Sequence, residues 1–432
     1  MSETAWDAII IGGGPGGSAA ATFLAKAGRR VLLLEKEVFP RFHIGESLLP
    51  YNQSLLAEMG VLPALQNQGF VRKLGAQFHL GNGSKSTAFV FSQGAFTRQT
   101  EAIQVERATF DHILLKHARG SGAEVREGWS VSRFSNVPDG VRVDATAPDG
   151  STHLLTASFL VDASGRGNLT GNQEGLREVH PRLKKVALFG HFHGVRRDPC
   201  SKGGDTVIVR LENKWFWLIP VSAEKTSIGC VMDRDEFSAM KVSPPEAFNH
   251  WVRSSQPMRE RMQTASLLGS IQATGDFSYR NRRLVGPRLV RIGDAAGFMD
   301  PIFSAGVYLA MFSGKLAAEA ITTALAAGLD GAPLLARYEK RIRSAMGLYW
   351  EMVENFYTTP FMEVFLEPRN KWNLPAAVNA VLAGELEGGW RMKWRLRAFF
   401  WIVRLQARWP LVPRVSFEPV PEGSVEPQPM AR

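Results

Sequence analysis

The residues best suited to chemistry in this 432-residue chain fall into a few short groups. The first is Asp7-Ala8-Ile9-Ile10-Ile11-Gly12-Gly13-Gly14-Pro15-Gly16-Gly17, in which Gly12, Gly14 and Gly17 keep a G-x-G-x-x-G spacing. Gly12 allows a tight turn, Gly14 lets backbone approach a pyrophosphate, and Gly17 lets a helix pack on the strand before it. Glu35 lies 18 residues beyond Gly17, where a carboxylate can hold ribose hydroxyls. The second group comprises Asp162-Ala163-Ser164-Gly165-Arg166 and Gly293-Asp294-Ala295-Ala296-Gly297, each following an apolar run. A Gly-Asp pair at a strand end suits a carboxylate that accepts hydrogen bonds from sugar-alcohol hydroxyls. A nicotinamide dinucleotide has no ribityl chain, so this pair favours FAD over NAD.

The third group is the turn Asp300-Pro301-Ile302-Phe303-Ser304-Ala305-Gly306-Val307. A helix opening at Gly306 would aim its positive dipole end at an electron-rich ring edge. Single side chains complete the set. Arg41 is a natural counter-charge for a pyrophosphate, and Arg107 is a second candidate for the phosphate or adenosine end of the cofactor. His43 reads as a structural hydrogen-bonder, having no nucleophile nearby. By pattern alone Lys73 reads as a solvated surface residue. Trp215 and Trp217, two apart on a strand, place two indoles on one face.

The elements that must position these residues follow from periodicity. Ala8 to Ile11, Val31 to Leu34, Leu154 to Val161 and Leu289 to Ile292 are apolar runs of the kind buried in a parallel sheet. Ser18 to Ala27 and Gly306 to Ala320 read as helices, as does Asn52 to Met59 with Gly60 as its C-cap. Phe39 to Pro50, including Ser47, reads as a loop, and Gly69 to Phe78 as a strand. Thr109 and Asp111 are cap or first-turn candidates for a helix reaching Arg119. Residues 185–285 read as mostly strands, the densest being Trp215 to Pro220. The fold class is therefore α/β: a Rossmann-like FAD-binding module over residues 1–344, interleaved with a mostly β substrate module at about 80–100 and 185–285. A helical region over 345–417 and a disordered tail over 418–432 complete the expected domains.

Composition narrows the class further. Apolar residues make up 45% and charged residues 21%, an ordinary globular mixture. The two cysteines, Cys200 and Cys230, offer neither a disulfide framework nor a metal-site spacing, so no metal is expected. The first strand begins too early to leave room for a signal peptide, and no apolar run spans a bilayer, so a cytoplasmic location is expected. A net charge of +10 suits an acidic partner, anionic substrates or anionic lipid, or serves solubility. Nucleic acid is not expected, because no recognition motif accompanies the charge. Residues 390–409 alternate aromatic and basic side chains, which fits a peripheral membrane contact, an acidic partner or a snorkelling surface helix.

Taken together, these motifs resemble the flavoprotein monooxygenase superfamily over roughly residues 5–320, and within it the flavin-dependent halogenases acting on phenols and pyrroles. Trp215-Phe216-Trp217-Leu218-Ile219-Pro220 matches their W-x-W-x-I-P signature, and Lys73 stands where they place a catalytic lysine. The resemblance implies that FADH2 and O2 form a flavin C4a-hydroperoxide, that chloride or bromide held at the Ala305 and Gly306 amides attacks it, and that hypohalous acid reaches Lys73. The two indoles would then keep the substrate from the flavin. Relatives acting on free tryptophan carry a glutamate before the serine of the halide turn. Here Phe303 precedes Ser304, which points to a phenol or a pyrrole, free or on a carrier protein. No second dinucleotide site is evident, so a separate flavin reductase is expected as partner. An aromatic hydroxylase or a geranylgeranyl-reductase-like saturase would use the same framework.

Overall fold

The computed structural model describes residues 6–369 and 371–418. The chain divides into two units, one built from Met1–Phe70, Val105–Leu183 and Phe277–Val353, the other from Val71–Gln104, Lys184–Asp276 and Glu354–Arg432.

In the first unit the apolar runs form a parallel sheet in the order Leu289–Arg291, Thr152–Asp162, Trp6–Ile11, Val31–Glu35, Glu124–Glu127. Ile9, Ile11, Leu32, Leu34 and Leu160 bury one side of it against Phe134, Val141 and Val143 of an antiparallel hairpin. This two-sided burial is why these strands read as continuous apolar runs. The Pro15–Lys26 helix follows the first strand, and the Gly306–Ala326 helix packs against it. Small residues set that approach: a Cβ on Gly16 would lie 3.1 Å from Ala310 O, and one on Gly314 would lie 2.6 Å from Gly16 O.

The second unit carries an eight-stranded sheet's main body in the order Ser266–Asn281, Arg177–His193, Lys225–Asp233, Trp215–Pro220, Thr206–Arg210, Gly75–Leu80, Ser86–Val90. One face buries Leu188, Phe216, Leu218 and Ile228 against Phe248 and Met258. The helices Thr359–Phe365, Leu374–Ala383 and Trp390–Arg408 belong to this unit, with the Phe365 ring 4.8 Å from that of Phe78.

Several expectations are corrected. The stretch read as one strand from Gly69 to Phe78 breaks at Leu74 into Val71–Lys73, paired with Ala102–Gln104, and Gly75–Leu80. The Arg107–Gly120 helix has Glu106 at its N-cap, so Thr109 is a first-turn residue, as expected of it, while Asp111 lies one turn further in and is neither cap nor first-turn. Three helices, Arg234–Met240, Pro244–Ser254 and Gln256–Met262, interrupt the region read as mostly strands. The second of them starts at a capping box, in which Glu246 accepts from the Ser243 amide at 2.8 Å. The expected boundary at 344/345 falls inside the Ala332–Phe356 helix, and the helices after it group with the second unit. The tail read as disordered lies, beyond Glu418, outside the described residues.

Candidate active site

The glycine loop leaves the central strand through Gly12 at φ +103°, a conformation that a side chain would strain, and a Cβ on Gly17 would overlap Gly12 O. The following helix has Pro15 in its first turn and no side-chain cap on Gly14, so its leading amides remain available for an anion. Glu35 closes the loop: its Oε2 accepts from Gly13 N at 2.6 Å and its Oε1 from Glu37 N at 2.8 Å. A carboxylate has about four lone-pair positions, so capacity remains for a ribose hydroxyl.

Around this loop lies a chain of buried charges. Arg107 forks onto Asp111, with Nε to Oδ1 and Nη2 to Oδ2 both at 2.8 Å, and its Nη1 reaches Ile44 O at 2.8 Å. These bonds make it a brace for the Phe39–Pro50 loop; the sequence expectation for it is the phosphate or adenosine end of the cofactor. Arg41 shares Asp111 at 3.4 Å, and its guanidinium overlooks the loop, 3.6 Å from where a Gly14 Cβ would stand. Its buried Nη1 makes no hydrogen bond. His43 bonds Ile44 O through Nδ1 at 2.6 Å, and burial followed by the Arg107 charge lowers its pKa to about 4, so it stays neutral and structural.

The two Asp turns differ. Asp162 spends both oxygens on its own turn, accepting from Ser164 N, Thr170 N and Thr170 Oγ1 at 2.6–2.9 Å. It shapes the turn and has little left for a ligand. Asp294 accepts no hydrogen bond at its side chain from any described residue. Burial pushes its pKa up to about 6 against the pull of Arg166 and Arg107. Gly293 N, beside it, donates to Ser313 Oγ at 2.9 Å. An acceptor left open on a Gly-Asp turn fits the hydroxylated chain of FAD. Ser47 is buried in the same unit. Farther along, Asp300 accepts from Ile302 N at 3.2 Å, Phe303 is buried, and Ser304 turns at φ +55°. The Gly306–Ala326 helix then begins after Ala305, with Val307 in its first turn.

Lys73 sits in the second unit. It is 2% exposed, with its Nζ 5.6 Å from the Phe91 ring centroid. The surface reading is therefore wrong for it. Burial lowers its pKa to about 7, only partly opposed by the negative charge of Asp205. Asp205, 4% exposed, is held by Gln77 Nε2 at 3.4 Å and by the Gly75 and Leu74 amides, so it is fixed to the backbone just past the lysine. Burial raises its own pKa. Sequence reasoning missed Asp205, although an acid opening an apolar strand, Thr206–Arg210, was a readable sign.

In the same unit Trp215 and Trp217 share a face, as expected, with ring centroids 5.9 Å apart. Trp215 Nε1 donates to Tyr357 Oη at 2.8 Å and Trp217 Nε1 to Ser227 Oγ at 3.2 Å. Trp217 lies opposite Gly229, where any Cβ would overlap the indole. Ile219 and Pro220 continue the strand and are buried. The expected cofactor residues all fall in the first unit, and Lys73 and the tryptophan signature in the second. Among the described residues no His, Cys, Asp and Glu cluster could hold a metal, and no helix is long and apolar enough to cross a membrane.

The family model for tryptophan halogenases matches residues 7–104 and 93–383. The chain is 30% identical to a pyrrole-2-carbonyl peptidyl-carrier-protein chlorinase of Pseudomonas fluorescens, over 91% of this chain and 92% of that protein. It is 35% identical to the corresponding brominase of Pseudoalteromonas luteoviolacea, over 75% of this chain and 79% of that protein. Among solved structures, the flavin-dependent brominase Bmp2 superposes with a TM-score of 0.84 at 29% identity, covering 93% of this chain and 100% of that one. The myxobacterial FAD-dependent chondrochloren halogenase CndH gives 0.76 at 30% identity, covering 92% and 97%.

Proposed function

The chain belongs to the tryptophan halogenase family, and from that premise we propose that it places chlorine or bromine on a phenol- or pyrrole-type ring, with Lys73 delivering the halogen. FAD is the cofactor, and halide and O2 are the co-reactants. Bound in reduced form, FAD supplies the electrons that turn oxygen and halide into hypohalous acid. The Gly12–Gly17 loop and Arg41 hold its pyrophosphate, Glu35 its ribose, and Gly293 and Asp294 its ribityl hydroxyls. Ser47, Asp162 and Arg107 shape the walls, and Val307 lines the ring edge. The amides at Ala305 and Gly306 hold the halide by helix-terminal potential without offering a reactive side chain.

The observation that carries the reading is a lysine buried to 2% exposure beside Phe91, whose desolvation lowers its pKa to about 7. A neutral Nζ has a lone pair for the halogen of hypohalous acid: the N–halogen bond forms, the O–halogen bond breaks, and water leaves with the displaced proton. The ring carbon then takes the halogen, the electron pair returns to Nζ, and the ring proton restores the amine. Phe303 leaves no carboxylate beside Ser304 to draw a proton from an indole, which supports a ring activated by its own hydroxyl or nitrogen. The indoles of Trp215 and Trp217, buried and hydrogen-bonded within the second unit, are held rigidly there. Two relatives act on carrier-bound pyrroles; with the net charge of +10, this supports a tethered substrate on an acidic carrier. Reduced flavin would come from a separate reductase. The enzyme, given reduced FAD, O2, bromide and a panel of phenols and pyrroles, should yield a product with a bromine isotope doublet. A mass gain of one oxygen, or of two hydrogens, overturns the reading in favour of a hydroxylase or a saturase.

A further inference from the structure

The Trp390–Arg408 helix carries Arg391, Lys393, Arg395, Arg397, Arg404 and Arg408 and no acidic residue. Its inner face is occupied: Met392, Leu396, Phe399, Phe400 and Val403 are buried, Phe399 meets Phe361 edge-on at 5.7 Å, and Gln406 bonds Glu363 at 2.7 Å. Trp390, Arg397, Trp401, Arg404 and Arg408 share its outer face. Trp390 is 72% exposed, Trp401 58%, and Trp409 just beyond the end 59%. Among the described residues Arg391, Lys393, Arg397 and Arg408 form no ion pair.

We propose that this outer face docks an acidic helical protein, the carrier domain that presents the substrate. The proposal rests on the reading above that the substrate is tethered. Three features favour a protein over a lipid surface. A helix lying in a membrane needs a free apolar face to bury in the acyl boundary, and here that face is spent on the enzyme's own core. The basic residues are five arginines to one lysine, interleaved with tryptophan; Trp and Arg are the types that anchor protein interfaces, where Lys is depleted. The planar arginine fork also pairs bidentately with the carboxylates of an acidic helix. Nineteen residues give a face about 28 Å long.

The test compares one acyl group in two forms, pyrrole-2-carbonyl on an acidic carrier protein and the same group on free pantetheine. A variant combining Arg397→Glu, Trp401→Ala and Arg404→Glu should raise KM for the carrier form at least about tenfold, leave the pantetheine form within about twofold, and lose binding of the unloaded carrier. Unchanged KM for the carrier form, or an equal loss on both forms, overturns the docking face while leaving tethering intact. A wild-type enzyme that halogenates free phenols and rejects both acyl forms overturns tethering itself, and the docking proposal with it. Sedimentation with phosphatidylglycerol vesicles that the variant abolishes, without any effect on the carrier, identifies the face as a membrane contact and also overturns the proposal. If removing residues 419–432, which contain Glu422 and Glu426, strengthens carrier binding, the chain's own tail is the first occupant and the face is not open as proposed.

Discussion

The cofactor cradle and the lysine pocket both bury charge, and they treat it in opposite ways. In the cradle most buried carboxylates are tied down: Asp111 lies between Arg107 and Arg41, Glu35 accepts two backbone amides, and Asp162 accepts three bonds within its turn, which leaves Asp294 as the open acceptor. Such tied groups hold a shape. In the pocket the lysine's desolvation outweighs the compensation from Asp205, so its proton is loosely held near neutral pH. The first arrangement suits binding and the second suits reaction.

Breaking each side should therefore give different losses. The largest is expected for Lys73→Ala: halogenated product should fall by at least about a hundredfold, while FAD titration and oxidation of reduced flavin continue. Product formation at the wild-type rate would mean that the pocket is only structural. Arg107→Ala should act on the other side, leaving Asp111 buried with a weakened counter-charge at a cost of about 3–5 kcal/mol. Thermal unfolding would report this as a lower Tm, with weaker FAD binding from the loosened Phe39–Pro50 loop. A variant as stable as the wild type would show that the ionic chain does not hold the cradle. The finest distinction is in pH. With Lys73 protonated below about 7 and neutral above it, a mechanism using the neutral amine predicts that the rate rises with pH through about 7. Asp205→Asn removes the charge that raises the lysine's pKa, so the rise should move to lower pH. A rate that falls across the same range would assign the working role to the ammonium form.

The cradle was far more legible in the sequence than the pocket. Parallel strands buried on both faces leave continuous apolar runs, and phosphate binding by backbone leaves glycines at fixed spacing, so Gly12 to Glu35 could be read directly. Partners were harder. Arg107 showed a charge, but its commitment to Asp111 depends on a helix beginning at Arg107, which makes the two i, i+4 neighbours. Lys73 looked like a surface residue because it ends a three-residue strand beside exposed Arg72, and its burial depends on residues near 205, far along the chain. Ser243-Pro244-Pro245-Glu246 carries a helix-start pattern within the strand-rich region.

The close crossing of the Pro15–Lys26 and Gly306–Ala326 helices has a mechanical consequence. Their starting ends are the two places proposed to face negative charge, one toward a pyrophosphate and one toward a halide. Because Gly16 and Gly314 let the two backbones touch, the helices cannot slide independently. The two anion seats form a ruler of fixed length, so a bulky side chain at Gly314 would mis-set both marks at once.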